Sequence, residues 1–521
     1  MPHCGLFLDS NRIFKFENHD EAYYVWRDRR LSERILLHID AHHDMYGAWP
    51  DKNLSVTISN FILPALQENV IREVVWAVPD ETWANRAGRN DIRRTIKTLR
   101  RNGIAGSKTD ESRTNISTTV LGRPLTICAI RQLPAFYEPV LLDIDVDYLV
   151  IPNIGYRGVH MYSRLPWLWP HELVAYLAKQ GVRTDLATIT YSVQGGYAPL
   201  QWKYLGDELA VRLHQGMEGS EILRGMDAMR LAASAAQRGN FSAASKSYLE
   251  AKTLLPQSAA PDFHLAHLYA GMGLPEMGRA HYHKAMRLDD SYRTAFNSTG
   301  LAHYLNGRWR HSRAAHERTL MLDEDDPYAH LGLGLLALRA RSWRRAKEHF
   351  SKTLQFDESS VDAMRGLGAA LVGEGDFLGA IRAYERSLKY ALLGCSSLLD
   401  GMIASSAWAH PVDVAHWKTH VDIATLYART GDSGTALAGY RMGIAAGMDG
   451  FGIRLRLGYL HFCRGDIRKT LLELCFALGR TPLAIRLLHW KVSHRLRRLV
   501  ADRPWQHWFT PTKPSETRVW I

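Results

Sequence analysis

Residues 36–45 read LLHIDAHHDM. The apolar run RILLHI (34–39) stops at Asp40, His42 and Asp44, with His43 between them. A continuous apolar run of this length predicts a strand buried on both faces. Burying carboxylates and imidazoles at its end without partners is costly. A second run, PVLLDIDV (139–146), ends the same way, in Asp143, Asp145 and then Asp147. Two strand ends of this kind crowd several negative charges into one crevice, where like charges repel unless some are protonated or a cation lies between them. The simplest resolution is a metal, and so many ligands predict two ions. Carboxylates mixed with imidazoles suit Mn²⁺ better than zinc. The plainer alternative is an acidic loop that caps the helices following it.

Outward from these strands the rhythm is α/β. EVVWAV (73–78), LTICAI (125–130) and LATITYSV (186–193) are further apolar runs. Helical stretches lie at 59–71, 91–103, 170–181 and 205–216, and the polar segment 105–117 reads as an exposed loop. Such alternation implies a mostly parallel sheet covered by helices, with ligands beyond the carboxyl ends of its strands. This domain is assigned to residues 1–216.

From residue 217 the rhythm changes. A turn position recurs every 34 residues at Gly239, Gly273, Gly307, Arg341 and Gly375, and again at Gly431 and Gly465. Aromatic residues follow at Tyr248, Tyr282, Phe350, Tyr384 and Tyr440, and small residues such as Ala251 and Ala285 let paired helices approach. The longer gap between Gly375 and Gly431 places an insertion at 391–415. The region resembles the tetratricopeptide repeats, which implies an all-α solenoid: five repeats over 217–390 and two over 416–490. Its concave face either holds a peptide or protein or supports dimerisation.

The totals exclude several classes. The 521 residues are 46% hydrophobic and 23% charged, as in soluble globular proteins. No apolar run is long enough to span a membrane, and the first residues lack the pattern of a secretory signal. Five scattered cysteines, at 4, 128, 395, 463 and 475, form no CxxC pair and fit a reducing, cytoplasmic setting. The net charge is +12, and residues 451–521 hold 14 Lys/Arg against 4 Asp/Glu. The basic C-terminal segment, 491–521, is either a solvated face or a docking surface for an acidic partner such as a leader peptide. No RNA-binding motif accompanies it, so nucleic acid ranks last among partners.

The motifs HIDAHHD, LLDIDVDYLVIP, ENHDEAYYVW, LPWLWPHEL and SVQGGYAPLQWKYLGDELA resemble the arginase, or ureohydrolase, superfamily, whose three-layer α/β fold is shared with histone deacetylases. The likeness covers residues 1–215 and is narrowest to enzymes that convert arginine to ornithine within ribosomally made peptides. It implies two Mn²⁺ ions held by His19, Asp40, His42, Asp44, Asp143 and Asp145. Asp147 is either a ligand in a frame shifted by two or a group behind the ligands. The implied reaction releases urea from an arginine side chain of a peptide or protein, with Asp44 moving the proton to the leaving nitrogen and His43 as a candidate proton shuttle. Candidate substrate contacts are Asn60, Asp80, Glu81, Asp147, Ser192 and Tyr197, with Trp49, Trp83, Trp167 and Trp169 forming either a substrate wall or core. DLATITYSVQGG lacks the glutamate with which free-arginine enzymes grip guanidinium, and LSVTISNFIL lacks a histidine expected there. The Gly-Gly-Tyr ending at Tyr197 is similar to the deacetylase branch, where such a tyrosine polarises a carbonyl. The competing functions are therefore a metal-dependent deacetylase or amidohydrolase, and a non-catalytic repeat scaffold with a relict metal site.

Overall fold

Runs rich in Ile, Val and Leu at 34–39, 71–78 and 140–145 become adjacent central strands because both their faces can be covered. The computed structural model describes residues 5–46, 56–154, 165–193, 197–216, 220–294, 298–305, 307–392, 411–445 and 450–479. Trp49, residues 393–410 of the expected insertion, and the basic segment 491–521 lie outside them. The chain divides into two compact units, Met1–Ala329 and His330–Ile521.

The first unit carries an eight-stranded sheet: β1 (Ile13–Phe16), β2 (Arg34–Ile39), β3 (Ile71–Val78), β4 (Asp110–Glu111), β5 (Asn115–Val120), β6 (Arg123–Ala129), β7 (Val140–Asp145) and β8 (Thr184–Thr190). Their order is β1-β8-β7-β2-β3-β6-β5-β4. All pairs from β1 to β6 are parallel, and β5 and β4 add antiparallel strands at one edge. The expected exposed loop at 105–117 therefore contains β4 and the start of β5. Leu121 and Gly122 close the β5–β6 hairpin, both at positive φ, the conformation that a tight two-residue hairpin requires.

Helices α1 (Glu21–Asp28), α2 (Ile62–Gln67), α3 (Asp80–Ala84), α4 (Arg86–Arg101), α5 (Asp147–Val150), α6 (Pro170–Lys179) and α7 (Tyr204–Gln215) connect the strands. One face of the sheet, with Leu36, Val74, Trp76, Leu125, Ile127, Leu141 and Leu186, packs against Tyr23 and Trp26 of α1, α2, and Ile92, Ile96 and Leu99 of α4. On the other face Leu37, Ile39, Val75, Leu142, Ile144 and Ile189 are also buried. Polar replacements of Leu residues on this first face stand near the strands' carboxyl ends, where His38, Asp143 and Thr188 face one another in register across β2, β7 and β8.

Helical hairpins follow in the same unit: α8 (Glu221–Gln237) with α9 (Phe241–Leu254), and α10 (Ala260–Gly271) with α11 (Pro275–Leu288). The short α12 (Ser291–Thr294) precedes α13 (Ser298–Leu305) and α14 (Trp309–Leu322). Ala251 and Ala285 are fully buried, and Tyr248 and Tyr282 nearly so. In the second unit, helices Trp343–Phe356 and Val361–Glu374 close on Phe350, whose ring leaves no room for a Cβ at Gly334 or Gly366. A later core joins Val421, Ala424, Ala436, Leu437, Tyr440 and Leu457. Every expected turn residue has positive φ, from 73° at Gly307 to 92° at Gly431, and Arg341 adopts the same conformation at 55°. No helix among the described residues is long and apolar enough to cross a membrane.

Candidate metal centre

His19 follows β1, Asp40 ends β2, Asp143 and Asp145 lie in β7, and Asp147 opens α5. Parallel strands direct all of these to one edge of the sheet. His19 Nδ1 lies 3.3 Å from Asp40 Oδ2, 3.0 Å from Asp44 Oδ2 and 3.3 Å from Asp145 Oδ2. Across Asp40, His42 Nδ1 is 3.5 Å from Oδ1 and 2.8 Å from Asp147 Oδ2. All six residues expected as ligands are thus gathered here, together with Asp147 and His38.

Asp143 stands apart within the cluster. Its Oδ2 is 2.9 Å from His19 Nε2 and 2.8 Å from His38 Nδ1, and its Oδ1 accepts from Thr188 Oγ1 at 2.6 Å. Burial would raise this carboxyl, but His19 and His38 hold it well below the usual carboxylate range. As an anion it can only accept, so both imidazoles donate to it. With a cation in place of the second proton, His19 would turn the lone pair of Nδ1 toward the side of Asp40, Asp44 and Asp145, and His38 that of Nε2 toward Asp40 Oδ2, 3.4 Å away. The row His38–Asp143–Thr188 supports, and the next row along the strands, Asp40 and Asp145, faces the gap. Asp145 is itself held by the Asp147 N–H at 2.8 Å and by Ser192 Oγ at 2.6 Å.

The donor set fits a pair of divalent cations. Atoms bound to one ion at about 2.1 Å stand about 3.0–3.4 Å apart, which matches the spacing around His19 Nδ1. Among the described residues, His38 Nε2, Asp40 Oδ2 and Asp147 Oδ1 are buried without a hydrogen-bond partner, and Asp147 Oδ2 has the ion-pair contact with His42. Two sets of ligand atoms, His19–His38–Asp40 and Asp40–His42–Asp147, each lie within 4.8 Å of one another and share Asp40. Without a cation, protons carry the balance. Burial would push the imidazoles of His19 and His42 down, but the charges of Asp143 and Asp147 hold them well above their ordinary range. Burial and the charge of Asp40 push Asp44 up to about 6.

Backbone strain concentrates at the same place. Asp44 (φ 46°) and Ser192 (φ 51°) occupy the left-handed region, which side chains other than glycine adopt at a cost and retain mostly where a site demands it.

No family model matches the chain, and no curated protein does. Among solved structures it is similar to MamA (21% identity over 32% of this chain and 92% of that one, TM-score 0.20). A tetratricopeptide repeat protein from Parabacteroides merdae ATCC 43184 gives 15% identity over 49% and 93%, with a TM-score of 0.25. YrrB, described as a tetratricopeptide repeat protein with an unusual peptide-binding site, gives 18% over 39% and 93%, with a TM-score of 0.26. Likenesses this distant carry no argument about activity; the 34-residue helical repeat stands on this chain's own hairpins and turns.

The remaining candidates scatter. His43 points away from the cluster: its Nδ1 accepts from the Met45 N–H at 3.0 Å and its ring packs on Tyr46 and Trp76. Burial, then the neighbouring His42 and His38, push it down to about 3, so it is neutral. Asn60 is buried and accepts from the Thr57 N–H at 2.8 Å, shaping the turn before α2. Asp80 pairs with Arg131 at 2.7 Å, and Glu81 is exposed. Tyr197 does reach the cluster, its ring edge-on to His42 with centroids 5.3 Å apart. Trp83 is core, Trp167 donates to the Tyr148 carbonyl, and Trp169 packs on Trp202. The sequence motifs single out neither Thr188 nor His38. For His38 the signal is legible, since a polar residue two positions before a strand-end ligand lies on the same face of the sheet; Thr188 is placed by its register with Asp143.

Proposed function

We propose that the protein is a dinuclear manganese hydrolase that acts on arginine side chains of a peptide or protein, giving ornithine and urea, with the helical repeats binding substrate or partner. The observation that carries this reading is the sharing of Asp40: one oxygen lies beside His19, whose Nδ1 also meets Asp44 and Asp145, and the other beside His42, whose Nδ1 also meets Asp147. The proposed ligands are therefore His19, Asp40, Asp44 and Asp145 for one ion, and Asp40, His42, Asp145 and Asp147 for the other. This is the arginase-like set in the frame shifted by two, with Asp143 orienting His19 instead of binding metal. Bound there, the ions supply Lewis acidity and a water acidic enough to deprotonate at neutral pH. Asp143 and Thr188 fix the supporting row, Ser192 orients Asp145, and Asp44 would accept the proton that must reach the leaving nitrogen. Carboxylate-rich coordination selects Mn²⁺ over zinc. Asp80, a candidate carboxylate for the guanidinium, is paired with Arg131.

The test combines metal content with intact mass. The purified chain should hold two equivalents of Mn²⁺, and arginine-containing peptides should lose about 42 Da per event, the mass of the guanidine carbon and its two nitrogens exchanged for hydrogen. Asp40→Asn and His42→Ala should abolish both. Unchanged peptide masses across metals and peptides would count against the hydrolase.

A metal-dependent deacetylase or amidohydrolase is the second reading, favoured by Tyr197 beside His42, where its hydroxyl can polarise a substrate carbonyl. Released acetate instead of urea would identify it.

A further inference from the structure

Lys203, just before α7, is 8% exposed. Its ammonium is 2.8 Å from Asp289 Oδ2 and donates to Ser291 Oγ, both at the entrance to α12 of the helical repeats. It also stands over two phenol rings, 5.2 Å from the centre of Tyr191 and 5.3 Å from that of Tyr292. Lysine is rarely buried unless paired, and a desolvated ammonium between aromatic faces is held firmly.

Tyr191 is the residue that leaves β8. Its hydroxyl donates to Asp207 at 2.6 Å, and Asp207 also accepts from Lys15. The ring lies so close to Gly206 that a Cβ there would come within 2.7 Å of it. The Tyr191 N–H donates to the Phe16 carbonyl at 2.9 Å, and the Ser192 N–H to that of Glu17 at 3.2 Å. Ser192 is the strained residue whose hydroxyl holds Asp145. An unbroken line of contacts thus runs Asp289–Lys203–Tyr191–Ser192–Asp145.

We propose that Lys203 is a positioning residue: gripped by Asp289 and Ser291 of the repeats, it fixes Tyr191 and so holds Ser192 in the conformation that orients Asp145. The helical repeat thereby becomes part of the support of the metal centre. Coupling of this kind is reciprocal, so metal binding steadies the 289–292 loop as much as the loop steadies the metal. The link to metal rests on the function proposed above; the mechanical link does not.

Full-length Asp289→Asn and Lys203→Met are compared with Gly273→Ala, which strains the turn between α10 and α11 without touching Lys203. In metal-free protein, amide exchange at Tyr191 and Ser192 should quicken about tenfold in the first two variants and stay at the wild-type rate in the third. Calorimetric Mn²⁺ affinity should fall about tenfold in the same two, as for partners that orient ligands, and recover in Asp289→Glu. Unchanged exchange at residues 191–192, or equal quickening in Gly273→Ala, overturns the positioning role. Wild-type protein that binds no Mn²⁺ overturns the metal reading, and the exchange comparison still decides the role of Lys203.

Discussion

Asp143 meets His19 at Nε2, 2.9 Å away, on the side of the ring opposite Asp40, Asp44 and Asp145. A carboxylate behind a ligating imidazole sets the tautomer and the ring's direction without touching the ion. Asp143 and Asp145 are two residues apart on one strand face, yet in the proposed centre they would have different work.

Substitution should separate them. Asp143→Asn leaves the proposed ligands in place but weakens the anchor of two imidazoles, so Mn²⁺ affinity should drop about 10–100-fold with two sites retained. Asp145→Asn removes a group proposed to serve both ions, and the titration should lose stoichiometry as well as affinity. Calorimetry with Mn²⁺ distinguishes the two outcomes; loss of stoichiometry in Asp143→Asn would return it to the ligand set.

Legibility in the sequence followed local physics. β2, β3, β6, β7 and β8 were visible as apolar runs because both faces are buried. β1, four residues long, and β4, two residues long, are too short to carry such a signal, and β5 buries only alternate residues, Ile116, Thr118 and Val120, so it shows no continuous apolar run. The frame of the D-x-D-x-D run was undecidable because every one of its aspartates points the same way. The choice depends on which one is level with Asp40, and strand register is a tertiary property. His43 was ambiguous for the opposite reason, since the chain has left β2 by that point and no period fixes its direction.

The turn glycines give a test with no packing contribution. A Cβ at Gly273 would meet no atom within 4 Å, and φ is 78°. Gly273→Ala should therefore destabilise the first unit by about 1 kcal/mol through backbone strain alone. Arg341, at φ 55° where the other turns have glycine, should respond in the opposite sense, with Arg341→Gly neutral to stabilising. Thermal melts of the two variants check both signs.

His316 occupies the position that Tyr282 and Phe350 fill one period away on either side. Its ring lies against Gly300, fully buried, and neither nitrogen finds a hydrogen-bond partner among the described residues. Burial, then His303, push it down to about 3. The unfolded chain takes up the proton near pH 6.5, so this group costs nothing at pH 8 and about 2 kcal/mol of stability at pH 5. His316→Phe should raise stability at both pH values and flatten the decline between them. An equal acid-side slope in wild type and variant would refute the assignment.

Tyr197 divides the two chemistries. Tyr197→Phe should leave urea release within a few-fold of wild type, because guanidinium offers no carbonyl to polarise. It should nearly abolish an amide-cleaving activity, since losing one such donor costs about 10²–10³ in kcat. Product analysis on the same variant reads both.

Within the cluster, His42 is 26% exposed at its side chain, against 3% for His19, 1% for Asp40 and 4% for Asp145. On the proposed function, a reactant would arrive past the exposed imidazole edge of His42 and the neighbouring Tyr197 ring, and selection would be by reach. A group flanked by chain on both sides is stopped at the rim, whereas the tip of a slender, unbranched stem can pass. On the proposed function, arginines that project freely from a peptide would be converted and those folded back against their own chain would be spared.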